Sequence, residues 1–378
     1  MTTPERLRSL DVFRGLTVAG MLLVNNPGSW SAIYPPLAHA AWHGWTPTDL
    51  IFPFFLFIVG VTTHLSREAR RARGVSEAEL SRQAIRRGVV ILLCGWALAA
   101  FPFVPLTRIT DLRIPGVLPR IGVVSIATAL LTQRTTLRQQ VGVLVALLYG
   151  YWFAMTLLPV PGQDGPGILF LDDPSRTLAA WVDRALLDGH LWRQSKTWDP
   201  DGVLSTFPAI GTALLGTFAG RWLASPRPLV ERLNGLFAAG ALAAMLGAMW
   251  GWSFPINKGL WTSSYVLLTA GLAALAIATI TWLGDGPLMR RLTTPTLAFG
   301  VNPLLAFLGS GLMAKVMGSL WKVEVAGDLI SVQSAVYRGA FRSWLEPRDA
   351  SLAFALSFVV LWWLLLEPLR RRGIIVKA

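Results

Sequence analysis

The chain has 378 residues, of which 53% are hydrophobic and only 15% charged, and its mean hydropathy is +0.51; this composition excludes an ordinary soluble enzyme and a disordered chain. A formal charge of +13, from 34 Lys and Arg against 21 Asp and Glu, would serve nucleic acid only on a solvated basic face, so on this apolar background it reads as the sidedness signal of a polytopic membrane protein. The single cysteine, Cys94, lies in an apolar run and excludes an internal disulfide framework, a multi-cysteine zinc site and a CxxC redox pair.

A helix crossing the hydrocarbon core needs about 20 mostly apolar residues, and about ten such stretches follow one another along the chain. They lie near 10–26, 48–66, 84–103, 117–133, 139–158, 203–223, 233–251, 260–283, 295–318 and 350–368. The predicted fold is all-α and polytopic, with residues 1–378 forming a single transmembrane domain. The first stretch imitates a signal peptide, since Arg6 and Arg8 precede it and Ala38-His39-Ala40 resembles a cleavage site. Asp11 and Arg14 interrupt the apolar run and the candidate site lies far beyond it, so a retained helix is expected. With a cytoplasmic N-terminus, the arginine clusters at 67–73, 86–87, 290–291 and 370–372 all fall inside, which places both termini in the cytoplasm. The outside loops are then 27–46, 159–202 and 319–349. The second is rich in Pro and Gly, and the third is expected to contain a short amphipathic helix.

Loop 27–46 carries neither Lys, Arg nor acid, yet it holds two of the four histidines, His39 and His43, and Trp30, Trp42 and Trp45, with Asn25 and Asp49 just outside it. Tryptophan faces stack on the C–H surface of a sugar, and histidine exchanges protons near neutral pH. An interfacial aromatic belt explains the tryptophans equally well. Asn25 and Asp49 sit at the outer ends of the first two stretches, where polar groups are costly unless they face a cavity or each other. His39 as base, Asp49 as its orienter and Asn25 as oxyanion donor would make an acyl-transfer site, although Asp49, Thr46 or Thr48 could equally cap the second helix.

Asp11 and Arg14, three apart, share a helix face and suit an ion pair. Arg120 lies inside a predicted span and must find an anion, a carboxylate or water. Lys258 can snorkel from a helix start, and Arg86 and Arg87 either enforce topology or meet cofactor phosphates. No GxxxxGK[ST] loop, Rossmann fingerprint or HExxH motif occurs, so an ATPase, a dehydrogenase and a zinc protease are not expected.

Several blocks together resemble a known family. Ser9-Leu10-Asp11-Val12-Phe13-Arg14-Gly15, Val24-Asn25, the run from His39 to Pro53, and Phe57-Ile58-Val59-Gly60 are followed in order by Arg113-Ile114-Pro115-Gly116-Val117-Leu118-Pro119-Arg120, Trp198-Asp199-Pro200-Asp201-Gly202, Pro255-Ile256-Asn257-Lys258-Gly259-Leu260-Trp261 and Gly300-Val301-Asn302-Pro303. In order and spacing these are similar to the blocks of heparan-alpha-glucosaminide N-acetyltransferase and its bacterial relatives. The resemblance implies acetyl transfer from cytosolic acetyl-CoA to the amine of a terminal glucosamine across a membrane, with His39 at the essential histidine and Asn25 at the asparagine beside it. His43 stands where the family usually has Asn. The animal members also carry a luminal N-terminal portion and an additional helix, so the expected acceptor here is glucosamine or a small glucosaminide rather than heparan sulfate.

The expected catalytic residues are accordingly His39, Asn25 and Asp49. Arg14, Arg120, Asn302, Arg86 and Arg87 are expected at the donor, and Trp42, His43, Asp199, Asn257, Lys258 and Trp261 at the acceptor. No metal is expected, nor a nucleic-acid partner. The setting would be a bacterial inner membrane, and spacings such as Gly211, Gly216 and Gly220 would permit a homodimer. Transfer through an acetyl-histidine and direct transfer in a ternary complex remain open. A transporter of N-acetylglucosamine or a related sugar and an O-acetyltransferase of an envelope polysaccharide are compatible with the same residues.

Overall fold

The structure, a computed structural model, describes residues 8–105, 107–284 and 286–376; Arg6 lies outside them. In chain order the helices are α1 (Arg8–Asn25), α2 (Ile51–Arg71), α3 (Glu77–Ala100), α4 (Thr107–Thr110), α5 (Val117–Arg134), α6 (Leu137–Leu157), α7 (Leu178–Leu187), α8 (Val203–Leu223), α9 (Leu229–Trp250), α10 (Ser263–Leu283), α11 (Pro287–Val301), α12 (Pro303–Lys315), α13 (Val332–Val336) and α14 (Pro347–Arg371). Polar caps start several of them. The Ser76 hydroxyl accepts from Glu79 N at the start of α3, and Thr136 and Gln139 form a capping box at the start of α6.

The chain is a multi-pass membrane protein. Among the described residues, eight helical segments are long and apolar enough to cross a bilayer. α1 and α5 occupy two more of the expected spans but fall outside this set, because charge lowers their apolar character: Arg8, Asp11 and Arg14 in α1, Arg120 and Arg134 in α5. The stretch expected as one helix over 295–318 is broken into α11 and α12 at Asn302, whose φ of −122° and ψ of 54° leave the helical region. Pro303 is the cause, since its ring disfavours α geometry in the preceding residue and it offers no N–H.

α2 packs against α8, α5, α1 and α10. Its contact with α8 is backbone on backbone: a Cβ on Gly60 would stand 1.9 Å from the Ala213 carbonyl oxygen, and one on Gly216 would stand 2.1 Å from that of Phe57. Where lipid tails compete equally for apolar side chains, such close approach is what small residues supply. Gly216 and Gly220 therefore meet Phe57 and Val61 of α2 within the chain. Leu56, Ile121, Val124, Ala209, Ala213, Trp261 and Tyr265 form one buried cluster around this contact.

The two long loops are folded. Segment 159–202 contains α7, started by Thr177, whose hydroxyl accepts from Ala180 N. In segment 319–349 a β-hairpin, β1 (Lys322–Val325) paired antiparallel with β2 (Asp328–Ser331), precedes a short helix, α13, that runs on as a π-helix over Tyr337–Arg342. Ala326 and Gly327 both take positive φ, 53° and 87°, the requirement of the tight turn that matches strand twist.

Candidate active site

A cavity of about 970 Å³ runs along α2. His39 and Asp49 line it at the start of that helix, and Arg67 and Arg70 line it in the last turns. At 1.5 Å per residue the rise between Asp49 and Arg70 is roughly 30 Å, the thickness of a hydrocarbon core. Between the polar ends the wall is apolar, with Phe52, Phe55, Ile58, Ile121 and Phe307.

At the His39 end, Asp49 is 1% exposed while the imidazole is about half exposed, its side chain at 49%. The Nδ1 atom of His39 lies 2.7 Å from Asp49 Oδ1. The other carboxylate oxygen accepts from Ala40 N and Thr46 N, both at 3.0 Å. As Asp49 can only accept, Nδ1 carries the proton, and Nε2 keeps its lone pair for chemistry. Capping and orienting are thus both done by Asp49: Thr46 and Asp49 form a capping box ahead of α2. The Tyr265 hydroxyl donates to the Asp49 carbonyl at 2.5 Å, tying this turn to α10.

Lys258 reaches the pair from the other half of the chain. Its Nζ lies 3.4 Å from Asp49 Oδ1 and 3.0 and 3.4 Å from Nδ1 and Nε2 of His39. Burial pushes the Lys258 ammonium below the usual lysine range, and Asp49 and Asp201 oppose that shift. A self-bonded turn aims it. Leu260 N donates to Asn257 Oδ1 at 2.8 Å and Asn257 N to the Thr262 hydroxyl at 3.1 Å, while Trp261 takes a φ of 53°, a left-handed geometry uncommon for a bulky residue. The Trp261 indole is buried, donates to the Thr212 hydroxyl at 3.1 Å and lies under the Arg120 guanidinium, 5.2 Å from its centroid.

A family model described as "Heparan-alpha-glucosaminide N-acetyltransferase, catalytic" matches residues 6–256. The chain belongs to this family. Among curated proteins, the human and mouse heparan-alpha-glucosaminide N-acetyltransferases are each 30% identical to it, over 85% of this chain and over 55% and 56% of their own lengths. The chain thus spans about half the length of the curated relatives it matches. The family match ends just short of Lys258.

Of the residues nominated from the sequence, His39, Asn25, Asp49, Arg14, Arg87, Trp42, Lys258 and Trp261 line the cavity, whereas Arg86, Arg120, Asn302, His43, Asp199 and Asn257 lie outside its lining. Arg14 is bound to Asp11 at 3.0 Å and to the Gly300 carbonyl at 3.1 Å. Asn302 donates to the Ile374 carbonyl at 3.0 Å and accepts from Val376 N at 2.8 Å, so its amide straps the C-terminal segment, and Ile375 and Val376, to the cavity wall. His43 accepts from Asn257 Nδ2 at 3.2 Å through Nδ1 and donates to Asp172 at 2.9 Å through Nε2. Both its nitrogens are used, and the second imidazole of loop 27–46 joins three loops instead of facing the cavity.

Arg120 is 3% exposed and finds the carboxylate its burial demands, Asp201, at 3.7 Å; it also donates to the Gly202 carbonyl and the Ser205 hydroxyl. Asp199 accepts from Arg113 through both oxygens, at 2.8 and 2.5 Å. Burial works against the charge on Arg113, but its bonds to Asp199 and Asp201 outweigh burial and raise its pKa. Sequence reasoning missed Arg67, Arg70, Arg113, Trp192, Trp198 and Asp201 as cavity residues.

Asp183 on α7 holds this loop down, accepting from Val203 N at 2.9 Å and Asp199 N at 3.3 Å. Burial raises its carboxyl from 3.8 to about 6, against the pull of those two N–H groups and with Asp199 adding to the rise. A carboxyl whose folded pKa is raised favours the folded loop fully at pH below its unfolded pKa, and this contribution, on the order of 3 kcal/mol at most, is lost as pH rises through about 6. Amide exchange across 178–203 is expected to quicken between pH 5 and 7.5 beyond the intrinsic rate, and Asp183→Asn is expected to remove that extra dependence. An unchanged pH response in the variant would assign it to another group.

Proposed function

We propose that the protein is a transmembrane N-acetyltransferase of a bacterial inner membrane, moving acetyl from cytoplasmic acetyl-CoA to the amine of glucosamine or a terminal glucosaminide on the outer side. The observation that carries this reading is the single cavity joining Arg67, Arg70 and Arg87 at one end to His39, Asp49 and Lys258 at the other. Arginine clusters at the inner end suit an anionic donor, and the apolar middle suits an extended arm that excludes water. Among the described residues Arg87 has no carboxylate partner, whereas Arg67 is bound to Glu77 at 3.2 Å and Arg70 to Gln83 at 2.7 Å.

In this mechanism the acceptor nitrogen attacks the thioester carbonyl while His39 Nε2 removes its proton. Asp49 keeps Nδ1 protonated and stabilises the imidazolium once formed. Asn25 and the Lys258 ammonium face the oxygen on which negative charge develops. Collapse forms the amide and breaks the C–S bond, and His39 returns the proton to the departing thiolate.

Purified protein in proteoliposomes, with labelled acetyl-CoA outside and glucosamine inside, tests the reading directly. Labelled N-acetylglucosamine is expected in the lumen. Sugar uptake without acetyl-CoA and with no acetylation would overturn it in favour of a transporter. Within the same assay, Arg87→Glu is expected to raise the KM for acetyl-CoA about tenfold, the worth of one charge-assisted contact, with little change in the KM for glucosamine.

A further inference from the structure

The loop 159–202 lies against the cavity mouth instead of standing off in solvent. Trp192, Trp198, Pro200 and Asp201 line the cavity, as do Arg113 from the other side of the mouth and Trp42 from loop 27–46. The tryptophans form a continuous edge-to-face row: Trp42 and Trp198 have centroids 5.2 Å apart at 75°, and Trp192 and Trp198 are 5.8 Å apart at 74°. Packing fixes this row. Trp42 donates its indole N–H to the Leu171 carbonyl at 2.8 Å, the Trp198 carbonyl accepts from the Ser195 hydroxyl, and a Cβ on Gly259 would stand 2.9 Å from the Trp42 ring and 3.2 Å from that of Trp198. Only glycine at 259 lets both rings lie over the turn that carries Lys258.

Polar groups flank the row. Asp201 Oδ2 accepts from Arg113 at 3.1 Å, and Oδ1 is 3.7 Å from Arg120, too long for a hydrogen bond. That oxygen therefore retains accepting capacity on a residue that lines the cavity. Arg113 is oriented by its two bonds to Asp199. A rigid aromatic face beside an acceptor and a donor is the chemistry that recognises an amino sugar: C–H surface on the indole, hydroxyls to the carboxylate and guanidinium, the amine toward His39.

We propose that Trp198, Asp201 and Arg113 form the acceptor subsite, which selects a hydroxylated amino-sugar ring. This rests on the acetyltransferase reading of the same cavity, and the two can fail separately. The probe is glucosamine, with cyclohexylamine as a ring amine lacking hydroxyls. Asp201→Asn and Trp198→Ala are expected to raise the KM for glucosamine about tenfold and to narrow its preference over cyclohexylamine. Trp198→Phe, which keeps an aromatic face, is expected to recover most of the loss. Calorimetric titration of glucosamine into the protein without acetyl-CoA is expected to show the same weakening. Glucosamine that binds and is weakened by Asp201→Asn, in a protein that acetylates nothing, leaves the subsite standing and removes the acetyltransferase reading. Acetylation with unchanged KM and unchanged preference in both variants removes the subsite and leaves the activity. Should Asp201→Asn lose its fold through the Arg113 contact, Trp198→Ala and Trp198→Phe decide the matter alone.

Discussion

Replacing His39 with alanine is expected to lower kcat for acetyl transfer to glucosamine by about a hundred- to ten-thousand-fold, the usual contribution of a positioned acid–base group. Among the described residues His39 is the one histidine in the cavity lining; its Nδ1 is bonded to Asp49, and its Nε2 lies 3.4 Å from Lys258 Nζ. The fold is expected to survive, because the imidazole is about half exposed, its side chain at 49%, and makes none of the helix–helix contacts. The KM for acetyl-CoA is expected to change little, as the arginine end of the cavity lies the length of α2 away. His39→Gln separates base chemistry from space filling: it restores a polar side chain that accepts no proton, so it is expected to be as inactive as alanine. Undiminished acetylation by either variant would remove His39 from the mechanism.

The reach of the sequence varied with the range of the interaction. Spans were readable because bilayer thickness imposes a length, whereas the arginine clusters give an expected direction only. The His39–Asp49 pair was readable because a short turn separates its members. Lys258 was nominated from a resemblance block, but its contact with both members bridges two halves of the chain and no local pattern encodes it. Arg120 was singled out as needing an anion, a carboxylate or water, and the partner proved to be Asp201, which stands in a resemblance block but was given no role. Trp192 went unnoticed, and Trp198 was quoted without a role, because nothing in a loop's composition says that it lies against the cavity; Asp183, whose carboxylate caps the Asp199–Val203 backbone, is the anchor that composition hid. Arg67 and Arg70 looked like topology charges, and their helical phase on α2, facing the cavity, is what sets them apart from Arg86. The split at Asn302 was signalled by Pro303, but the hydropathy of the stretch outweighed it.

Asp49→Asn is the sharper test of how the site works. The amide keeps the size of the carboxylate and can still accept from Ala40 N and Thr46 N, the bonds that shape the turn ahead of α2. Loss of one cap bond would cost about 0.5–2 kcal/mol of stability, which thermal unfolding would register. Two further things change at the reaction centre. The carboxylate that balances an imidazolium is gone, and the amide N–H₂ can donate to Nδ1, which would move the imidazole proton to Nε2 and block it as a base. Lys258, with Nζ 3.4 Å from Asp49 Oδ1, also loses its anion, so burial is then less opposed in lowering its pKa. The expected loss in kcat is about a hundred- to ten-thousand-fold, as large as that of removing a general base, and larger than the change in KM for glucosamine. If Asp49 acts through His39, the two losses do not add: His39→Ala with Asp49→Asn is expected to be about as active as His39→Ala alone, because residues that act as a unit fail together. Full additivity would mean that Asp49 serves the reaction by another route, the first candidate being the charge state of Lys258, and Lys258→Met in the Asp49→Asn background would then be expected to cause no further loss.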